Sequence, residues 1–138
     1  MTNEISKIDA AATVKAKTSL NSGDMLARLQ VVSAMNNADS LNDHMDEVLR
    51  ICDYIIMPGV RKGRGNNPDV ECQNTYLVDI DKNVYFTQSD GVAKTLEQYL
   101  LFCPDLGKET MPNGYLPLMC VSRELSNGNT IKTLVIAE

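Results

Sequence analysis

Two runs rich in β-branched and aromatic residues, 48–57 and 72–80, bracket Gly59-Val60-Arg61-Lys62-Gly63-Arg64-Gly65-Asn66-Asn67-Pro68. That arrangement predicts neighbouring strands joined by a long basic loop, with Pro58-Gly59 ending the first strand. Glycines let backbone approach a polyanion closely while Arg and Lys supply charge, so the loop suits phosphates. A solvated hairpin loop whose cations keep the protein soluble is the plainer alternative.

The charge pattern sharpens the contrast. The 138 residues carry a net −5, yet residues 50–64 hold Arg50, Arg61, Lys62 and Arg64 against Asp53 alone. A basic island on an acidic body steers a polyanion to one place and repels it elsewhere. With 43% hydrophobic residues the chain can bury a core without disulfides or metal. No apolar run approaches the roughly 20 residues of a membrane span. The first residues lack the basic start and apolar core of a signal peptide, which predicts a cytoplasmic protein. Cys52, Cys72, Cys103 and Cys120 show no Cys-x-x-Cys spacing and read as reduced, packed thiols. His44 is the one histidine, so no usual zinc site is expected.

Along the chain, residues 1–22 read as a flexible arm, or a short helix around Ala10 to Lys17, and 23–138 as one domain. Met25 to Met35 fits helix and strand alike and is assigned to a strand on Gln30-Val31-Val32-Ser33. Cys72 to Ile80 turns at Asp81-Lys82-Asn83 and returns through Val84 to Thr87. Ser89 or Asp90 caps a helix whose Val92, Leu96, Tyr99 and Leu100 share one face. Leu116–Leu125 and Thr130–Ile136 flank Ser126-Asn127-Gly128-Asn129, a strong hairpin signal. The resulting order is β, β, β (the third folded on its own turn), α, β, β. That order predicts an all-β or α+β fold, an OB-like five-stranded Greek-key barrel with one helix between strands 3 and 4.

Residues 24–138 then resemble the single-stranded DNA-binding proteins of small tailed phages with protein-primed replication and their relatives on Gram-positive mobile elements. The resemblance is carried by Tyr76-Leu77-Val78-Asp79-Ile80-Asp81-Lys82-Asn83-Val84-Tyr85-Phe86 leading into Ser89-Asp90-Gly91-Val92-Ala93-Lys94-Thr95-Leu96. It continues in Arg123-Glu124-Leu125-Ser126-Asn127-Gly128-Asn129-Thr130-Ile131-Lys132-Thr133-Leu134. It implies an OB-type barrel that coats single strands during replication. The long basic loop and the lack of an acidic C-terminal tail depart from that pattern.

Binding of single strands without sequence preference needs cations for phosphates and flat rings for bases. The cation candidates are Arg50, Arg61, Lys62, Arg64, Lys82, Arg123 and Lys132; the ring candidates are Tyr54, Tyr76, Tyr85 and Tyr115. Tyr99 and Phe86 read as core. A two-residue Asn127-Gly128 turn would set Arg123 opposite Lys132, like charges that an anion would relieve. Asp79, Asp81 and Asp90 fit turn and capping roles better than a metal site, and no nucleophile with a base or P-loop is present. The expectation is a noncatalytic protein without metal or cofactor, with single-stranded DNA and, beside it, replication proteins as partners. The alternatives are a phage-encoded protein-interaction or inhibitor module with an acidic surface and, last, a small metal-dependent nuclease.

Overall fold

The computed structural model describes residues 17–20 and 24–137. It is a mixed α+β structure, a curled sheet forming a half-barrel with two helices. The strands are β1 (Lys17–Thr18), β2 (Asp39–Ser40), β3 (Val48–Arg61), β4 (Val70–Asp79), β5 (Val84–Thr87), β6 (Leu116–Glu124) and β7 (Thr130–Ile136). The helices are α1 (Met25–Met35) and α2 (Asp90–Phe102). The sheet order is β2-β5-β4-β3-β6-β7, with β1 also laid against β3. Of the expected arm, residues 1–16 and 21–22 lie outside the described residues, as does nearly all of the helix expected around Ala10 to Lys17. Lys17 and Thr18 pair with Ile56 and Ile55.

Period-two alternation splits the burial between two faces. Leu77 and Tyr85 join the larger core with Ile51, Ile56, Leu118, Leu134 and the α2 residues Val92 and Leu96. Their neighbours Val78 and Val84 point the other way and pack with Val31 of α1. Helix α1 therefore covers the outer side of β4 and β5, while α2 fills the inner side.

The segment expected to be the first strand is helix α1. Asp24 caps it by accepting from the Leu26 amide at 3.2 Å. Met, Leu, Ala, Arg and Gln favour a helix and outweigh the two valines. The five longer strands are thus β3 to β7. What was expected as one folded third strand is two, β4 and β5, with α2 following them.

Pro58 does not end β3; it stays in register opposite Gln73. The reason lies in edge parity. The Tyr54 amide donates to Ser19 Oγ at 3.0 Å, and the Tyr54 carbonyl accepts from the Ser19 amide at 3.2 Å, so Tyr54 hydrogen-bonds away from β4. Pro58, four residues on, has the same parity, and its missing N–H costs no bond to β4.

The last hairpin is also one residue off its expected register. The Leu125 amide donates to Asn129 O at 2.7 Å and the Gly128 amide to Leu125 O at 3.0 Å, with Gly128 at φ 87°. This is a three-residue loop in which Gly128 forms a bulge. Arg123 accordingly pairs with Ile131, and Lys132 with Ser122. A one-residue slip reverses the face of a side chain, so Arg123 and Lys132 lie on opposite sides of the hairpin. The expected like-charge pair does not form.

Helix α2 covers the free edge of β7. Tyr99 Oη donates to Leu134 O at 2.8 Å, and Thr95 Oγ1 lies 2.7 Å from Thr133 Oγ1. Gly91 sits so close to this edge that a Cβ there would lie 2.0 Å from the Lys132 carbonyl oxygen. Tyr99 is therefore part of the packing between helix and sheet, as expected.

Candidate nucleic-acid interface

Between Leu49 and Ile51, both buried, Arg50 projects to the outer side of β3. Opposite it on β6 is Pro117, and Val48 pairs with Met119, which pairs with Val135. Further along, Val121 faces Thr133 and Arg123 faces Ile131. Val48, Met119, Val121 and Val135 belong to neither core. They form an apolar strip on the outer sheet face with an arginine near each end. The Arg50 guanidinium lies over the Tyr115 ring, 5.6 Å from its centroid. Arg50 and Arg123 are six β6 positions apart, about 20 Å at strand rise. Among the described residues neither forms an ion pair.

The second group of cations belongs to the finger. β3 and β4 stay paired to Arg61 opposite Val70, so only Lys62–Asp69 is loop. Asp69 Oδ1 accepts from the Gly63 amide at 2.9 Å, and the Asn67 amide donates to Arg64 O at 3.1 Å. Arg61 donates to Gln88 O at 2.6 Å and lies 3.8 Å from Asp90. Gln88 in turn donates to Val60 O at 3.2 Å and Asn74 Oδ1 at 3.0 Å, stitching the finger root to the start of α2. Lys62 and Arg64 are exposed and, among the described residues, free of ion pairs. Beside the root a groove of about 520 Å³ brings Arg61 and Lys132 together with Phe86. The Lys132 ammonium donates to Asn42 Oδ1. Phe86, expected in the core, is only half-buried and packs against Tyr76 at 5.0 Å.

The tyrosines divide sharply. Tyr54 and Tyr85 are 6% and 7% exposed. Enclosed rings offer no face to a base, so the structure removes both from the stacking candidates. Tyr85 Oη donates to Asp79 Oδ2 at 3.0 Å, and the ring meets His44 edge-on at 4.8 Å. The same carboxylate accepts from the Asp81 amide at 2.9 Å, the Asn83 amide at 2.8 Å and Asn83 Nδ2 at 3.0 Å. Asp79 is thus the organiser of the β4–β5 turn, as the sequence suggested. Lys82 stands exposed at that turn with φ 68°. Tyr76 is half-buried and packs against the core beneath α1. Tyr115 is the candidate ring placed beside a cation. Sequence reasoning missed the apolar strip, although Pro117, Met119, Val121 and Arg123 alternate visibly along β6.

Burial also sets the protein's response to alkali. It pushes the Tyr85 hydroxyl, aided by the Asp79 hydrogen bond, up to about 12, and the Cys52 thiol, beside the Asp53 carboxylate, up to about 11. Burial raises Tyr54, Tyr99 and Cys120 too. Each of these groups ionises first in the unfolded chain, so each stabilises the fold fully below its unfolded value. That stability is lost as pH rises from about 9 to 11 for Cys52 and from about 10 to 12 for Tyr85. Urea midpoints measured at pH 7, 9, 10 and 11 should be level to pH 9 and fall thereafter. A flat profile to pH 11 would contradict the burial of these groups.

Among the described residues, fold and face together define a small α+β half-barrel with a half-exposed, arginine-flanked sheet face and a basic finger. Compared with protein-family models, with curated proteins and with solved structures, the chain matches none. No helix among the described residues is long and apolar enough to cross a membrane.

Proposed function

We propose that this protein binds single-stranded DNA without catalysing its chemistry, coating and protecting strands during phage or mobile-element replication. The observation that carries the reading is Arg50 over Tyr115 at one end of the half-exposed apolar strip, with Arg123 near the other end. Bases can lie on the strip and stack on Tyr115 while the two guanidinium groups meet phosphates. The finger, with Lys62 and Arg64 free of ion pairs among the described residues, supplies further phosphate contacts. The order β5-β4-β3-β6-β7 with α2 after β5 supports an OB-like Greek-key barrel whose open side α2 occupies in place of a strand-to-strand closure. The sequence resemblance described above points to the same class. The acidic remainder of the surface favours a single path for the strand.

A titration of labelled oligo-dT at two salt concentrations tests the proposal: tight binding at low salt should weaken steeply as salt rises. Absence of binding at low salt defeats it. Lys62→Ala/Arg64→Ala should flatten the salt slope by about 1.4, two phosphate contacts at roughly 0.7 each for a single strand. The melting temperature should not move, since neither side chain holds the fold. Arg61 is left in place because it anchors the finger root. An unchanged slope removes the finger tip from the site.

A second reading, a protein-interaction module, has one specific observation in its favour, the apolar side chains that α1 leaves in solvent.

A further inference from the structure

The groove of about 520 Å³ beside the finger root lies where the first turn of α2 meets β5 on one side and β7 on the other. Its volume falls within the roughly 300–1,000 Å³ of small-ligand sites. Gly91, with no Cβ to strike the Lys132 carbonyl, lets the start of the helix approach β7 closely. That approach places Lys132 at the same groove as Arg61. Asp90 is the one acid among the described lining residues, so Arg61 and Lys132 leave the lining net positive. The whole chain carries −5. Two other cavities of similar size, one beside α1 and one between Pro58–Val60 and α2, are each lined by more acids than bases.

The groove also holds more hydrogen-bond donors than the fold uses. Arg61 gives one N–H to Gln88 O at 2.6 Å, and Lys132 gives one to Asn42 Oδ1, which leaves the other hydrogens of both groups for a ligand. Thr87 Oγ1 accepts from the Ser89 amide at 3.0 Å, and Ser89 Oγ accepts from the Val92 amide at 3.3 Å. Neither hydroxyl donates to an acceptor among the described residues. Helix α2 is 13 residues long and points its N-terminus here, which adds positive potential. Phe86 and Ile131 supply an apolar wall.

The geometry points to this groove as a site for the phosphate group of a nucleotide, free or at the end of a strand. A phosphate has only acceptors to offer, and its several oxygens can meet donors arriving from the finger root, β7 and the α2 cap together. The wall of Phe86 and Ile131 gives the attached sugar and base an apolar surface. Asp90 opposes the anion, but its side chain is 77% exposed and 3.8 Å from Arg61, so it can turn to water as a phosphate oxygen takes its place. The site uses neither the Arg50–Tyr115 strip nor the finger tip, and it stands whether or not the protein coats strands.

Amide chemical shifts of the intact, isotope-labelled chain, titrated with dTMP, thymidine and inorganic phosphate, test the site. dTMP should move the amides of Ser89, Asp90, Gly91 and Lys132; inorganic phosphate should do so more weakly, and thymidine should not. Lys132→Gln should weaken dTMP binding about tenfold, the loss of a hydrogen bond to a charged group. Asp90→Asn should strengthen it about twofold, because it removes one exposed like charge. A purely structural role for either residue predicts no such opposed pair. Oligo-dT with and without a 5′-phosphate separates the two sources. A tighter phosphorylated strand, its advantage lost in Lys132→Gln, assigns the site to strand ends; equal affinity with dTMP still bound assigns it to free nucleotide. Failure of oligo-dT to bind at all defeats the coating function and leaves the dTMP result to stand by itself. The inference is overturned if millimolar dTMP moves none of these amides, or if Lys132→Gln and Asp90→Asn both bind dTMP as wild type does.

Discussion

Gly91→Ala should destabilise the protein by about 2–3 kcal/mol, the upper part of the range for overpacked sites. Helix propensity alone gives the opposite sign. Gly91 lies in the first turn of α2, where alanine would gain up to about 1 kcal/mol over glycine. The contact decides against it. The added Cβ would fall 2.0 Å from the Lys132 carbonyl oxygen, with the Lys132 carbonyl carbon at 3.2 Å. Both atoms are backbone in a strand paired to β6, so neither can rotate away. The helix must retreat by more than an ångström. That retreat strains the Tyr99 bond to Leu134 O and the Thr95–Thr133 contact, which hold α2 on the edge of β7. A loss of this size lowers the thermal midpoint by roughly 6–12 °C in a domain of this length. Gly107→Ala is the matched control, because its nearest neighbour would be Asp105 O at 3.8 Å. A Gly91→Ala protein as stable as wild type would mean that α2 does not seal β7 as described.

Much of this architecture is written in local pattern. Alternation marks β4, β5, β6 and β7, and Ser89 with the Val92–Leu96 face marks α2, because each signal depends only on neighbours in sequence. What escapes the sequence depends on single-residue offsets. Arg50 and Tyr54 are four apart and would share a face of a regular strand. The pairing shift between Ile51 and Asp53 inserts one residue and turns Tyr54 inward beneath the sheet. Gly128 in the left-handed region likewise moves Lys132 to the other side from Arg123. Neither bulge announces itself, since the residues at each suit a regular strand or a two-residue turn equally well. In α1 the apolar spacing was ambiguous, and helix propensity together with the packing of Val31 on Val78 and Val84 resolves it. The candidate cations were identifiable by type, but their division between a sheet face and a finger root is a product of register.

That division makes the binding energetics separable, and the outer face should dominate. Tyr115→Ala should weaken oligo-dT binding by about 1–3 kcal/mol, the worth of one stacked base. It also removes the ring beneath the Arg50 guanidinium, so part of the loss should be shared with Arg50→Ala. In a double-mutant cycle the Arg50 and Tyr115 effects should therefore sum to more than the double variant loses. Arg123→Ala, about 20 Å away along β6, should add independently. The salt slope discriminates the roles further. Arg50→Ala and Arg123→Ala should each reduce it by roughly 0.7, and Tyr115→Ala should leave it nearly unchanged. None of the three should lower the melting temperature much, since Arg50 and Arg123 are exposed and Tyr115 bonds only through its backbone amide, to Pro112 O, among the described residues. If Tyr115→Ala and Arg50→Ala bind with wild-type affinity while Lys62→Ala/Arg64→Ala loses it, the strand runs along the finger and not along the sheet. If all these variants bind as tightly as wild type, the outer face is not a nucleic-acid surface at all.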